Sequence, residues 1–215
     1  MRSAGLLANW FDLEESDRAQ FERWHNHEHV RERLEVPGFT HARRYSAVGP
    51  SRPGQGWLMI YAADTLQVFA SDAYAARRAA PTSATIAARP LLRRMTRTAY
   101  DIQEGFGAGH GGFLCVVRAD SSGTSAQQLD TLRSVAYGLR NLPDVASWQL
   151  GVPDSAVTHY SETDKAATYP CALYIDTTDP DNLNQLADGV RMRPGGSSIT
   201  VDLFRLTFMM SRDDF

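Results

Sequence analysis

Four of the chain's six histidines fall between Trp24 and Arg44. They lie in the run Trp24-His25-Asn26-His27-Glu28-His29-Val30-Arg31-Glu32-Arg33 and, a little later, in His41-Ala42-Arg43-Arg44-Tyr45. Imidazole titrates nearest neutrality, so such clustering points to proton transfer, metal ligation or anion binding before packing. If residues 25–34 are helical, His25, His29 and Arg33 share one face by i, i+4 spacing, while His27 points elsewhere. That arrangement predicts His29 as a general acid/base with His25 as its partner, and Glu28 as the carboxylate that orients one ring through its second nitrogen. Arg31 and Arg33 offer cations to an enolate, carboxylate or phenolate. Two histidines and a carboxylate can also hold zinc or iron. The His-Glu-x-x-His arrangement is absent, however, and no matching cluster occurs later, so neither a metal nor another cofactor is expected. The bland alternative for these polar residues is a solvated helix end.

The elements that must position this cluster follow from hydrophobic period. An apolar run from Gly5 to Phe11 reads as a strand, with Asn9 unusual in its middle and so a candidate hydrogen-bonding group of a cavity. A helix starts near Ser16, where Ser16 or Asp17 can cap it, and Pro37-Gly38 ends it. Phe39 to Val48 is a second strand, Trp57 to Ala62 a third, Thr65 to Ala79 a helix, and Thr98 to Ile102 a fourth strand. After the glycine-rich stretch Gly105 to Gly112 the order β-α-β-β-α-β begins again. Strands are expected at Phe113–Val117, Val145–Val152, Cys171–Ile175 and Ile199–Met210, with helices at Ser125–Leu139 and Asp181–Val190. The chain therefore reads as a tandem repeat, 1–106 and 111–215, with the histidine-rich site only in the first copy. Gly105 to Gly112 lacks a following Lys-Ser/Thr, so it is read as a flexible joint rather than a phosphate loop. The polar connection Pro153 to Tyr169, with His159, Tyr160, Glu162 and Lys165, is a loop or a lid.

Strand alternation puts His41, Arg43 and Tyr45 on one face and Ala42, Arg44 and Ser46 on the other. One arginine should enter a cavity, where it needs either an anionic ligand or an internal partner such as Asp12, Asp64 or Asp101. Trp10, Trp57, Tyr61 and Tyr100 can wall an aromatic ligand or serve as core. Arg89, Arg93, Arg94 and Arg97 read as a solvated helix face.

Bulk properties restrict the partners. At 215 residues, 43% hydrophobic and 22% charged, the chain is that of a globular protein with a real core. A net charge of -3 gives no general attraction to nucleic acid or anionic lipid. No apolar run is long enough to span a bilayer, and the first ten residues do not form a signal peptide, so a cytoplasmic setting is expected. Cys115 and Cys171 are read as buried free thiols.

The run from Phe21 through Val30, followed by Val36-Pro37-Gly38-Phe39 and Ala42-Arg43-Arg44-Tyr45, resembles the dimeric α/β-barrel superfamily, and within it EthD-like proteins. The likeness rests on about 25 residues, and elsewhere on element order alone. Arg31 stands where similar proteins often have proline, which allows the helix to continue past His29. The resemblance implies an α+β fold in which two tandem ferredoxin-like βαββαβ repeats form within one chain the barrel that its relatives form by dimerisation, around a hollow for a small molecule. Two such chains can also associate as a homodimer. The expected function is a cofactor-independent isomerase, cyclase or lyase acting by histidine proton transfer on a small aromatic or polyketide-like metabolite. His29, His25 and Glu28 would be catalytic, and Arg33, Arg43, Arg44, Tyr45, Asn9, Trp10, Trp57 and Tyr61 would bind substrate. The alternatives are a haem or metabolite carrier without turnover and a cofactor-free monooxygenase.

Overall fold

The computed structural model describes residues 4–159, 169–179, 181–191 and 199–215. Eight antiparallel strands close into one barrel: β1 Gly5–Asp12, β2 Phe39–Ala47, β3 Trp57–Ala63, β4 Arg93–Gly107, β5 Phe113–Ala119, β6 Val145–Pro153, β7 Ala172–Thr177 and β8 Ile199–Ser211. Around the barrel their order is β1-β3-β2-β8-β5-β7-β6-β4. Each half thus has its own four strands in the ferredoxin-like order, fourth-first-third-second, and the halves join edge to edge where β2 meets β8 and β4 meets β6. Closure leaves no unpaired sheet edge, and the seams make two repeats into one barrel within one chain.

Helices cover the outer face. The first half has α1 Arg18–Trp24, a wider π-helical turn His25–His29, and α2 Val30–Leu34 as one continuous helical rod, then α3 Asp72–Ala79 and α4 Ser83–Ala88. Neither Ser16 nor Asp17 caps the first helix with its side chain; a 3-10 turn at Glu15–Asp17 leads into it instead. Ser71 and Thr82 cap α3 and α4 by accepting from the N–H of Tyr74 and Thr85. The second half has α5 Ser125–Tyr137, opened by a Thr124/Gln127 capping box, a short α6 Ser155–Thr158, and α7 Asp181–Arg191.

Strand alternation sorts side chains into three layers. Leu6, Ala8, Trp10, Leu58, Ile60, Ala62, Tyr45, Tyr100 and Tyr174 fill the barrel interior. Leu7, Phe11, Trp57, Met59 and Tyr61 face the first half's helices, and Cys115, Val117, Trp148, Leu150 and Ile175 those of the second. The barrel is therefore packed with side chains rather than hollow. Both cysteines are buried and neither is in a disulfide. Among the described residues no helix is long and apolar enough to cross a membrane.

β4 begins well before the expected Thr98, so Arg93, Arg94 and Arg97 lie on a strand and not on a solvated helix face. Arg93 and Arg94 pair with Glu14 and Asp12, whereas Arg97 is buried and donates to the Val157 and Thr158 carbonyls of α6. The Pro153–Tyr169 connection thus reaches the first half through α6, and Val157 joins that half's core. Tyr160, Glu162 and Lys165 lie outside the described residues. The joint between the repeats is also structural. Its Gly111 N–H donates to Asp176, and a Cβ on Gly111 would overlap the Thr177 carbonyl, whereas one on Gly112 would meet nothing. Gly111→Ala should lower stability by about 1–3 kcal/mol and Gly112→Ala by almost nothing, read from urea midpoints.

Candidate functional site

The π-helical turn is the local feature that sets the site. One wide i→i+5 turn, closed by Val30 N–H to the His25 carbonyl, sits inside an otherwise α-helical rod, an irregularity that recurs at functional sites. It turns His25 and His29 inward with Arg33 and leaves His27 exposed. The three buried residues lie over the outer face of the first half-sheet, not over the barrel interior. The expectation that they aim into a hollow shared by both halves is corrected: the shared space is filled, and the imidazoles occupy the helix–sheet layer of the first half.

Opposite them, the sheet presents Asn9 and Met59 side by side in register, with Arg97 beyond Asn9 and Arg44 beyond Met59. Arg44 Nη1 donates to Asn26 Oδ1 at 2.7 Å and to His25 Nδ1 at 3.2 Å. Arginine has no acceptor, so His25 Nδ1 must receive that bond and its proton sits on Nε2. Arg44 Nε donates to Thr207 Oγ1 at 3.1 Å, and Thr207 donates back to the Arg44 carbonyl. Thr207 is the extra residue of a β-bulge opposite Arg44 and Tyr45, a device that re-aims a side chain. Aromatic faces surround the guanidinium: Phe21, Trp57 and, from the second half, Phe208. The Trp24 ring lies 4.2 Å from that of His29, its N–H bonded to Thr85, and Tyr61 meets His29 edge-on at 6.3 Å.

Both imidazoles are held neutral. Burial, then Arg44, pushes the His25 pKa well below 6.5 against a smaller opposing effect of Asn26; burial, then Arg33, His25, Arg77 and Arg89, does the same to His29. Burial and Arg18, against Glu22 and Tyr61, lower Arg44 to about 10, which still leaves it charged at neutral pH. His25 Nε2, His29 Nδ1, Arg33 Nη1, Tyr61 Oη and Asn9 Oδ1 are all buried without a hydrogen-bond partner. Arg33 is a buried cation with no carboxylate partner among the described residues, its guanidinium lying over the Tyr74 ring.

The anticipated residues therefore divide between two faces. His25, His29, Arg33, Arg44, Asn9, Trp57 and Tyr61 come together in the helix-covered layer, while Arg43, Tyr45 and Trp10 face the barrel interior. Arg43 is paired there, not with Asp12, Asp64 or Asp101 but with Asp176 of β7, at 2.8 and 2.9 Å. Glu28 accepts from Thr82 rather than orienting an imidazole. Asn26, Thr85, Thr207 and Phe208 are site residues that strand and helix periodicity did not single out.

Among the described residues no group of three His, Cys, Asp or Glu side chains stands close enough to hold a metal ion. His25 is also a poor haem ligand. A ligating histidine normally donates from its second nitrogen to a carboxylate or carbonyl, whereas His25 receives a bond from a cation there, and its proton then occupies the other nitrogen.

No family model and no curated protein matches the sequence. Solved structures do match in fold. An anthrone oxidase-like protein superposes with a TM-score of 0.65 at 9% identity, over 99% of this chain and 97% of that one. A protein described as a monooxygenase from Fusobacterium nucleatum gives 0.60 at 9% identity over 98% and 96%. A haem-binding protein from Thermus thermophilus gives 0.53 at 10% identity over 97% and 92%. Strand order, closure and these superpositions together establish that this chain has the dimeric α/β-barrel fold, assembled from two ferredoxin-like halves of a single polypeptide.

Proposed function

We propose that the first half is an acid–base active site that ionises a small phenolic, enolic or polyketide-like substrate without a cofactor. The observation that carries this reading is Arg33, a buried cation without a carboxylate partner among the described residues, beside the unpartnered His25 Nε2, His29 Nδ1 and Tyr61 hydroxyl. His29 is the base: its Nδ1 is unengaged and its ring is neutral at physiological pH. His25 has its tautomer fixed by Arg44, so it offers Nε2–H to the oxygen on which charge develops, with Arg33 as the neutralising cation. An anion formed between these groups favours the imidazolium, which offsets the low basicity that burial imposes on His29.

Oxygenation of the resulting carbanion is favoured over isomerisation, cyclisation or lyase chemistry because the similar structures include an anthrone oxidase-like protein and one described as a monooxygenase. With anthrone as probe, the methylene would become a carbonyl, O2 supplying one oxygen to the product and the other to water. Two measurements separate ionisation from its sequel. Without oxygen, the protein should catalyse exchange of the anthrone methylene protons with D2O; with oxygen, it should consume one O2 per quinone formed. His29→Gln should slow the exchange by about 10²–10⁴-fold, and Arg33→Met by about 10²-fold. Exchange unchanged in His29→Gln would remove the base assignment. Exchange without oxygen uptake would return the reaction to the isomerase or cyclase class. A Soret band in the purified protein would point instead to a haem carrier.

A further inference from the structure

The opposite side of β2 repeats the arrangement at Arg44 with different partners. Arg43 points into the barrel and donates from Nη1 to His110 Nδ1 at 3.0 Å, while the same nitrogen holds both oxygens of Asp176. The logic used for His25 applies again: an arginine bonded to Nδ1 places the histidine's proton on Nε2. His110 comes from the joint between the repeats, which folds over one end of the barrel and sets this ring, tilted, 4.9 Å from that of His41.

These two histidines line a cleft of about 540 Å³ together with Ala4, Ile102, Glu104 and Ser147. His41 Nε2 is buried there without a hydrogen-bond partner. Burial, then Arg43 and His110, holds the His41 pKa down at about 3 against the smaller pull of Asp176, so its ring is neutral in ordinary buffers. The Thr40 hydroxyl lies 3.2 Å from His41 Nδ1, and by donating to it would give this ring the same Nε2–H form. The carboxylates nearby are already occupied: Asp176 by Arg43, Gly111 N–H and Ser147, and Glu104 by Arg133 and Tyr137. What remains for a ligand is the Nε2–H donor of His110, joined by that of His41 when Thr40 donates to its Nδ1, beside the apolar surface of Ala4 and Ile102.

We propose that this end of the barrel is a second binding site, distinct from the helix-covered site, for a small carboxylate with a hydrocarbon body. The carboxylate accepts from His110 Nε2 and His41 Nε2, and Arg43 positions His110 from behind without touching the ligand. The test is a titration of the full chain with benzoate, and with benzyl alcohol as the neutral counterpart, followed by the imidazole NMR resonances. Benzoate should shift the His41 and His110 signals saturably and bind at least tenfold more tightly than benzyl alcohol. His110→Ala should weaken it tenfold or more. Ala4→Phe, which fills the cleft and leaves the Arg43–Asp176 pair alone, should do the same, so the proposal does not hang on the folding of one variant. His29→Gln should leave benzoate binding unchanged, because that residue lies on the other side of the sheet. No saturable shift, equal affinity for the alcohol, or binding indifferent to both cleft variants would overturn the site.

Discussion

Asp176→Leu is expected to cost about 3–5 kcal/mol of stability, because it leaves the Arg43 guanidinium buried in the barrel without its counterion. Both partners are almost completely inaccessible, at 0% and 5% side-chain exposure, so water cannot take over the role of the carboxylate. Burial alone would raise the Asp176 carboxyl; Arg43 and His110 outweigh it and hold it below the usual carboxylate range. The converse substitution, Arg43→Met, strands the carboxylate and should cost a similar amount. The double variant Arg43→Met/Asp176→Leu removes both charges and should recover most of the loss, since an apolar pair of similar volume is often as stable as a buried ion pair. Urea denaturation of the four proteins closes this cycle. A single variant within about 1 kcal/mol of wild type would show that the pair is not what ties β2 to β7 across the interior.

The second large effect is acid sensitivity. His25, His29 and His41 all have folded-state pKa values below 6.5, with burial the leading cause in each. Between the folded values and 6.5 the unfolded chain binds protons that the folded chain does not. Stability contributed by these rings is therefore complete above 6.5 and declines as pH falls below it. Each histidine weakens the folding equilibrium by up to tenfold per pH unit, and three together by up to about 4 kcal/mol per unit. Against a typical stability of about 5–15 kcal/mol, a large part of the folding free energy should be lost as pH falls below 6.5, before the carboxylates titrate. Free energies from urea melts between pH 7.5 and 5 give the slope, and His25→Gln or His29→Gln should each remove up to a third of it. A flat profile over that range would mean the rings accept protons in place.

The tandem order of elements and the histidine-rich helix were legible in the sequence because both rest on local pattern. The side of the sheet on which the histidines lie was not. β1 is buried on both faces through Phe11 and β3 throughout, so their runs carry no alternation that could tell inside from outside. Alternation did separate Arg43 from Arg44, but only the fold assigns Arg43 to the interior and Arg44 to the helices. The start of β4 was missed because Arg93 to Arg97 are held by Glu14, Asp12 and α6, partners distant in sequence. Thr207 was missed because a one-residue bulge breaks the period that strand reading depends on. The role of Glu28 failed for a simpler reason: Thr82, far along the chain, competes successfully for the carboxylate.

The bond between Arg44 and Thr207 spans 163 residues. Phe208, one residue further on, also packs against His25. During synthesis the β2 margin of the amino-terminal half has no partner until β8 has been made. Contacts of such long range make folding slow, and they place the assembly of this wall of the candidate site late in it.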